Sequence, residues 1–404
     1  MSSKRRRHTG VIVGIVLAVL LVAAASGTGY MRYQRAVPTV VPTTAALKDQ
    51  TGKAPTLPWP EYGQSAIGAN GFGVLATNGD QKAAPTASVA KVITALAIVK
   101  QKPIKAGTTG ATLTMTDADY ASYQFYLTHD GSNVPVAVGE QITQYQALQA
   151  LLLPSANNMA ESLARWAFGS LEAYKTYVNG PLTKELSVTT MKMTDPSGFD
   201  AGTVASASDL VKIGIAALQE PVLAEIFNQP QANIPVAGNI YNVNRLLGQN
   251  GFIGIKTGNT EEAGGVFLFA TKQQTADGQP VTVVGAIMGA PSLTTAMRDS
   301  VPLSIAVPGG FENRTIVTAG QLVGSYTMPW GGTVNVTADK DLTALLWKPS
   351  KSTATVELTK KNVPQAAGTT VGTVNVTANG KELTTAAVLA KPLTTPDWWW
   401  RLTH

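Results

Sequence analysis

Residues 86–100 read TASVAKVITALAIVK. Val89, Ala90, Val92, Ile93, Ala95, Leu96, Ala97, Ile98 and Val99 leave little polar face, so the stretch predicts a helix packed on more than one side, bounded by Pro103. Ser88 and Lys91 stand at i and i+3 near its start, which puts hydroxyl and amine on one face. A serine needs a nearby base to attack a carbonyl. A lysine serves as that base when burial and positive neighbours lower its pKa. The N–H groups of the first helical turn also point towards an oxygen that gains charge. Serine and lysine at this spacing recur by chance, usually with a solvated lysine. Here the apolar setting predicts a lysine lodged in a pocket.

Two further triplets follow. Ser155-Ala156-Asn157 comes directly after a predicted helix over 143–153 and Pro154. It reads either as a plain loop with an asparagine cap or as a functional pair. In the second reading Ser155 shuttles a proton to a leaving amine, and Asn157 fixes Lys91 and the substrate amide. Lys256-Thr257-Gly258 lies on a predicted strand, whose alternation sends Lys256 and Gly258 to one face. Gly258 permits close approach of a substrate backbone. Lys256 brings positive charge to the serine and to a carboxylate, and Thr257 is a candidate to help hold that carboxylate.

Around these motifs, 65–78 predicts a strand with hairpin signals at Asn70-Gly71 and Asn78-Gly79. Residues 110–139 read as short polar strands and turns. Helices are expected from Asn158, over 170–179, and over 208–218 with Ser208 as N-cap. Strands are expected over 253–258, 264–272 and 281–289. Residues 59–300 therefore form an α/β (α+β) catalytic domain, a helical cluster beside an antiparallel sheet. A break falls near 300. Residues 305–395 form a small all-β domain in which GTVNVTA occurs twice, at 332–338 and 372–378. Residues 396–404 are a Trp-rich tail. Trp398, Trp399 and Trp400 are adjacent, so they cannot share one face of a strand; they suit a membrane interface or a cap on the β domain.

Composition excludes several classes. Of the 404 residues, 14% are charged, against roughly 25% in average soluble proteins, and 44% are hydrophobic, which rules out a long disordered polyampholyte. The net charge of +6 resides in Lys4, Arg5, Arg6, Arg7, Arg32 and Arg35, so the rest of the chain is neutral and shows no charge excess for nucleic acid. The chain has no cysteine, which excludes thiol nucleophiles, disulfides and cysteine metal sites. The three histidines, His8, His129 and His404, have no metal-ligand spacing. Neither metal nor cofactor is expected.

Residues 1–9 form a basic flank, and no charged residue separates Arg7 from Arg32. Residues 10–29 are read as an uncleaved transmembrane signal-anchor, with the basic flank cytoplasmic and the bulk outside. The alternative is a signal peptide cut after Ala25, giving a secreted protein. Residues 30–58, rich in Pro, Thr and Ala from 36 onward, read as a tether with some polyproline character.

The three triplets in this order resemble the penicillin-recognising serine enzymes. LLLPSANNMAESLA (151–164), MTDPSGFD (193–200), NRLLG (244–248) and GIKTGNTEEAGG (254–265) narrow the resemblance to low-molecular-weight D-alanyl-D-alanine carboxypeptidases of the serine peptidase S11 type. It covers about 65–300, and more loosely the β module. The resemblance implies a penicillin-binding/β-lactamase-like transpeptidase fold. It implies Ser88 as nucleophile on the penultimate D-Ala of a peptidoglycan stem pentapeptide, and Lys91 as base. Ser155, Asn157 and Lys256 complete the catalytic set, and Thr257, Gly258, Asn259 and Arg298 bind substrate. Backbone N–H groups of Ser88 and Asn259 would form an oxyanion hole. β-Lactams are the implied inhibitors and a monomer is expected. Ala90 stands where the family often has Thr, and Asn259 where His or Tyr is common. The tail is expected to lack the family's terminal amphipathic helix, which an N-terminal anchor would replace.

A D,D-endopeptidase uses the same residues and stays open. A β-lactamase needs a deacylating carboxylate; between the second and third motifs the candidates are Glu172, Glu185 and Asp195, none with the expected asparagine partner.

Overall fold

The structure, a computed structural model, describes residues 3–404, with side chains from residue 9 onward. Met1, Ser2 and the side chains of the basic run Lys4–Arg7 lie outside the described residues. The chain forms two units, 53–312 and a second built from 1–52 together with 313–404.

In the first unit a short 3-10 turn, Ala87–Val89, leads into the helix Ala90–Gln101. All of Ala90–Val99 is buried, as an apolar run without a polar stripe requires. Around it pack the helices Gln144–Leu152, Asn157–Phe168 and Ala207–Leu218. Thr143 and Gln146 form a capping box at the start of the first of these, and Gly169 closes the second in a left-handed conformation. Ser206, not Ser208, caps the third, because its hydroxyl accepts from the Asp209 N–H.

The helical cluster covers one face of a five-stranded antiparallel sheet, ordered Phe252–Thr260, Gly264–Gln274, Pro280–Ala290, Gln64–Ala69, Gly73–Asn78. Val266, Leu268 and Ala270 join the helical core. Phe267 and Phe269 alternate with them and stack with Phe252. This strand is buried on both faces, which accounts for its continuous apolar sequence.

Two further expectations are corrected in this unit. Residues 110–139 contain the helix Asp117–Thr128, initiated by a Thr116/Asp119 capping box. Its two exposed aromatics, Tyr120 and Phe125, blur the apolar period. The expected boundary at 300 cuts through the helix Leu293–Ala306, which packs on the strands Gly264–Gln274 and Pro280–Ala290.

The second unit is all-β apart from its terminal helices. Its six-stranded sheet is ordered Pro42–Thr44, Leu322–Thr327, Thr333–Ala338, Lys381–Leu389, Thr370–Ala378, Thr353–Leu358. The two GTVNVTA copies flank one strand, Lys381–Leu389, and both pair with it antiparallel. Residues 40–52 are therefore not a free tether. Pro42–Thr44 is an edge strand, Val40 is buried in the core and bridges Lys361, and Gln50 bridges Ser352. The Arg314 guanidinium donates to the carbonyls of Gln50, Lys348 and Ser350, fixing that segment.

The N-terminal helix runs from Ser3 to Tyr33. Its part Thr9–Tyr33 is long and apolar enough to cross a membrane, and its side chains are not buried against protein. The tail does contain a helix, Trp398–Thr403, capped by the Asp397 carboxylate. Trp400 turns inward onto Trp330, with ring centroids 5.5 Å apart, while Trp398 and Trp399 are exposed.

Candidate active site

Lys91 is fully buried, and its Nζ lies 2.8 Å from Ser88 Oγ. The i, i+3 spacing makes that contact local. The second partner is distant: Lys91 Nζ donates to the Ser197 carbonyl at 2.8 Å. Burial is the main force holding the Lys91 amine well below its usual pKa; the nearby Lys256 charge adds to it, and Asp195 opposes it. With one N–H given to Ser197, a neutral Lys91 keeps its lone pair free for the serine proton.

The Ser197 carbonyl is aimed by its own turn. Asp195 accepts from the backbone N–H groups of Ser197, Gly198 and Phe199 and from the hydroxyls of Ser197 and Thr203. Gly198 has φ +74°, and a Cβ there would lie 1.9 Å from the Ala87 carbonyl, so the turn presses directly on the segment that carries Ser88. Ala87, in turn, has φ +45°, unusual for a residue with a side chain. Asp195-Pro196-Ser197-Gly198 carries turn chemistry in the sequence, but nothing local ties it to a lysine more than 100 residues away.

Lys256 is also buried, on the strand Phe252–Thr260, and burial pushes its pKa down to about 7. Gly258 brings this strand against the turn Ala87–Val89: a Cβ there would sit 3.1 Å from the Ser88 backbone nitrogen. Thr257 is buried, whereas Asn259 reaches the surface.

Ser155 has φ +71°, and its buried Oγ has no hydrogen-bond partner. The buried Oδ1 of Asn157 is likewise unpartnered. Among the described residues no hydrogen bond joins Asn157 to Lys91, which corrects the expectation that Asn157 fixes that amine; the Ser197 carbonyl occupies that role. A buried polar atom without a partner costs roughly 1–3 kcal/mol, so two of them two residues apart mark a site arranged for something other than its own stability.

Ser88, Asn157 and Asn259 line a cleft of about 550 Å³, together with His129–Ser132, Gly198, Phe199 and Thr260–Glu262. Glu261, Glu262 and Asp130 are exposed at this cleft and make its mouth acidic. Arg298 is not brought to it. Its side chain is 71% exposed and is tied to Asp299 at 2.7 Å, while Asp299 also accepts from the Tyr62 hydroxyl. The helix starting at Leu293 turns position 298 outward, a direction the motif spacing did not reveal.

The carboxylates considered for deacylation are engaged elsewhere. Glu172 pairs with Lys175, Glu185 with Lys100, and Asp195 holds the turn described above.

This geometry, a buried lysine on a serine beneath an antiparallel sheet edge, sits in a unit of the penicillin-binding fold. The chain belongs to the D-alanyl-D-alanine carboxypeptidase family of serine peptidases: the family model matches residues 66–292, more than half of the chain. Residues 311–393 match a second model, the C-terminal domain of penicillin-binding protein 5. The chain is similar to the D-alanyl-D-alanine carboxypeptidase DacB2 of Mycobacterium tuberculosis, 34% identical over 204 residues, 49% of this chain and 65% of that protein. It is also similar to a D-alanyl-D-alanine endopeptidase of Pseudomonas aeruginosa, 29% identical over 156 residues, 37% of this chain and 49% of that protein. The chain thus spans less than two thirds of the length of these two relatives. Among solved structures, penicillin-binding protein 5 from Haemophilus influenzae shares the fold, with a TM-score of 0.57 at 20% identity, covering 86% of this chain and 99% of that one.

Proposed function

We propose that the chain is a serine-type D-alanyl-D-alanine carboxypeptidase that trims peptidoglycan stem pentapeptides. The observation that carries this reading is the Lys91–Ser88 contact in a fully buried setting. Ser88 Oγ attacks the carbonyl of the penultimate D-Ala while Lys91 takes its proton. The oxyanion is held by the backbone N–H groups of Ser88 and Asn259. The C–N bond breaks, Ser155 relays the proton to the leaving amine, and free D-Ala departs. Water then attacks the ester, with Lys91 again as base, and restores the Ser88 hydroxyl. Lys256, protonated, attracts the terminal carboxylate, with Thr257 beside it. The unpartnered Asn157 amide oxygen accepts from a substrate peptide N–H, and Gly258 lets that backbone approach. The acidic mouth favours a peptide arm that carries an ammonium group.

β-Lactams acylate Ser88 by the same attack. The absence of a free carboxylate among Glu172, Glu185 and Asp195 supports slow deacylation over lactamase turnover. An endopeptidase acting on D-Ala cross-links is the second reading, supported by the likeness to the Pseudomonas aeruginosa protein. We further propose that residues 10–29 anchor the chain in the cell membrane with the catalytic unit outside, since their apolar side chains find no protein to cover them. One chain carries the whole set of site residues, in keeping with a monomer.

The test is incubation with a stem pentapeptide and, separately, a cross-linked dimer, with Ser88→Ala as control. Release of D-Ala from the pentapeptide by the native chain and at least a ~1,000-fold loss in the variant are expected. Equal release by both removes Ser88 from the chemistry; preferred cleavage of the dimer establishes the endopeptidase instead.

A further inference from the structure

Within the β unit the end of the N-terminal helix meets the tail helix, and the junction is a pocket of about 230 Å³. Arg32, Arg35 and Arg401 line it with Pro38, Trp400 and His404, and no aspartate or glutamate does. Each guanidinium carries five N–H donors. Arg32 spends one on the Leu402 carbonyl and Arg401 one on the Arg35 carbonyl. Arg35 has no side-chain partner among the described residues, and none of the three forms an ion pair there. The walls are braced: Arg401 lies over the Tyr33 ring at 4.5 Å, and His404 stacks on Trp400 with ring centroids 4.9 Å apart. Three like charges held around one concavity repel one another unless an anion joins them.

We infer that this pocket binds the phosphate of an anionic phospholipid headgroup. Guanidinium forks match phosphate oxygens bidentately, so phosphate chemistry suits the donor set. Position selects the lipid as its source. The pocket begins where the charge-free run of the N-terminal helix ends at Arg32. Trp398 and Trp399, both more than 60% exposed, stand beside it with the exposed Tyr30 and Tyr33, the residue types that settle at headgroup level. The lipid thereby staples tail to anchor. This inference rests on the reading of residues 10–29 as an anchor, yet every lining residue follows Ala25, so the pocket also survives cleavage there.

The test uses the full chain purified in detergent. Native mass spectrometry compares retention of phosphatidylglycerol and phosphatidylcholine by the native protein, by R32Q/R35Q/R401Q, and by R32K/R35K/R401K. Each arginine near an anionic surface is worth about fivefold, so the glutamine variant loses roughly a hundredfold in phosphatidylglycerol affinity. The lysine variant retains part of the binding, and D-Ala release by all three proteins stays equal, showing that they fold. Equal retention of both lipids, or no loss in the glutamine variant, overturns the inference. Inorganic phosphate that binds the pocket as tightly as the lipid overturns the choice of a lipid source. Alkaline extraction of native membranes examines the anchor separately: release of the chain by carbonate defeats the anchor reading and leaves the lipid-binding result standing or falling alone.

Discussion

In the catalytic unit two lysines are sealed from water, Lys91 at 0% and Lys256 at 1% exposure, and burial changes their chemistry. In the β unit three arginines surround an open pocket. The contrast teaches how one chain uses cations in two ways. A lysine can give up its proton when solvent is removed, which makes it a base. An arginine cannot, which makes it a fixed partner for an anion. The surroundings match the residue type: Lys91 sits among aliphatic side chains and one aimed carbonyl, whereas Arg401 rests on a tyrosine ring at the rim.

The strongest attempt to break this contrast is Lys91→Arg. If Lys91 works as a neutral base, a permanent cation in its place lowers the rate of acylation by a β-lactam about 100- to 10,000-fold, as does Lys91→Met. Acylation of the arginine variant at a near-native rate would mean that position 91 supplies only charge.

A smaller effect is expected from pH on stability. The folded-state pKa of Lys256 is about 7, below the ~10.4 of an unfolded lysine. Between those values the unfolded chain binds more protons, so stability rises with pH across that window and is lowest below 7. Urea midpoints at pH 7 and pH 9 should show a gain to which Lys256 contributes on the order of 2 kcal/mol and the likewise depressed Lys91 adds in the same direction, and Lys256→Met should remove only the Lys256 share. R32Q/R35Q/R401Q leaves both buried lysines in place and should track the native slope.

The smallest effect concerns the cleft mouth. Glu261→Gln with Glu262→Gln is expected to raise KM about two- to fivefold for a stem peptide bearing a free amine, with kcat unchanged. The effect should fade in high salt. An equal change for an N-acetylated peptide would show that the two carboxylates act through loop structure and not through charge.

Much of the catalytic unit was legible because its signals are local. The apolar run after Ser88 specifies a buried helix, and the short turn that leads into it keeps Ser88 one turn before Lys91. Strand alternation similarly places Lys256 and Gly258 on one face. Arg298 shows the limit: a motif-like position says nothing of which way a later helix points, and the structure turns it to solvent against Asp299. The helix Asp117–Thr128 was hidden by exposed aromatics, and the edge strand Pro42–Thr44 by a composition that looks like a linker.

Taken alone, the sequence determined the unit types, the pairing of Ser88 with Lys91 and the neutral charge of everything beyond residue 35, because each follows from neighbours along the chain. Only the folded chain decided that the Ser197 carbonyl orients Lys91, that Asn157 does not, and that Arg401 meets Arg32 and Arg35. Those contacts join segments separated by about a hundred residues or more. They arise from packing and turn geometry, for which no single stretch of sequence holds the information.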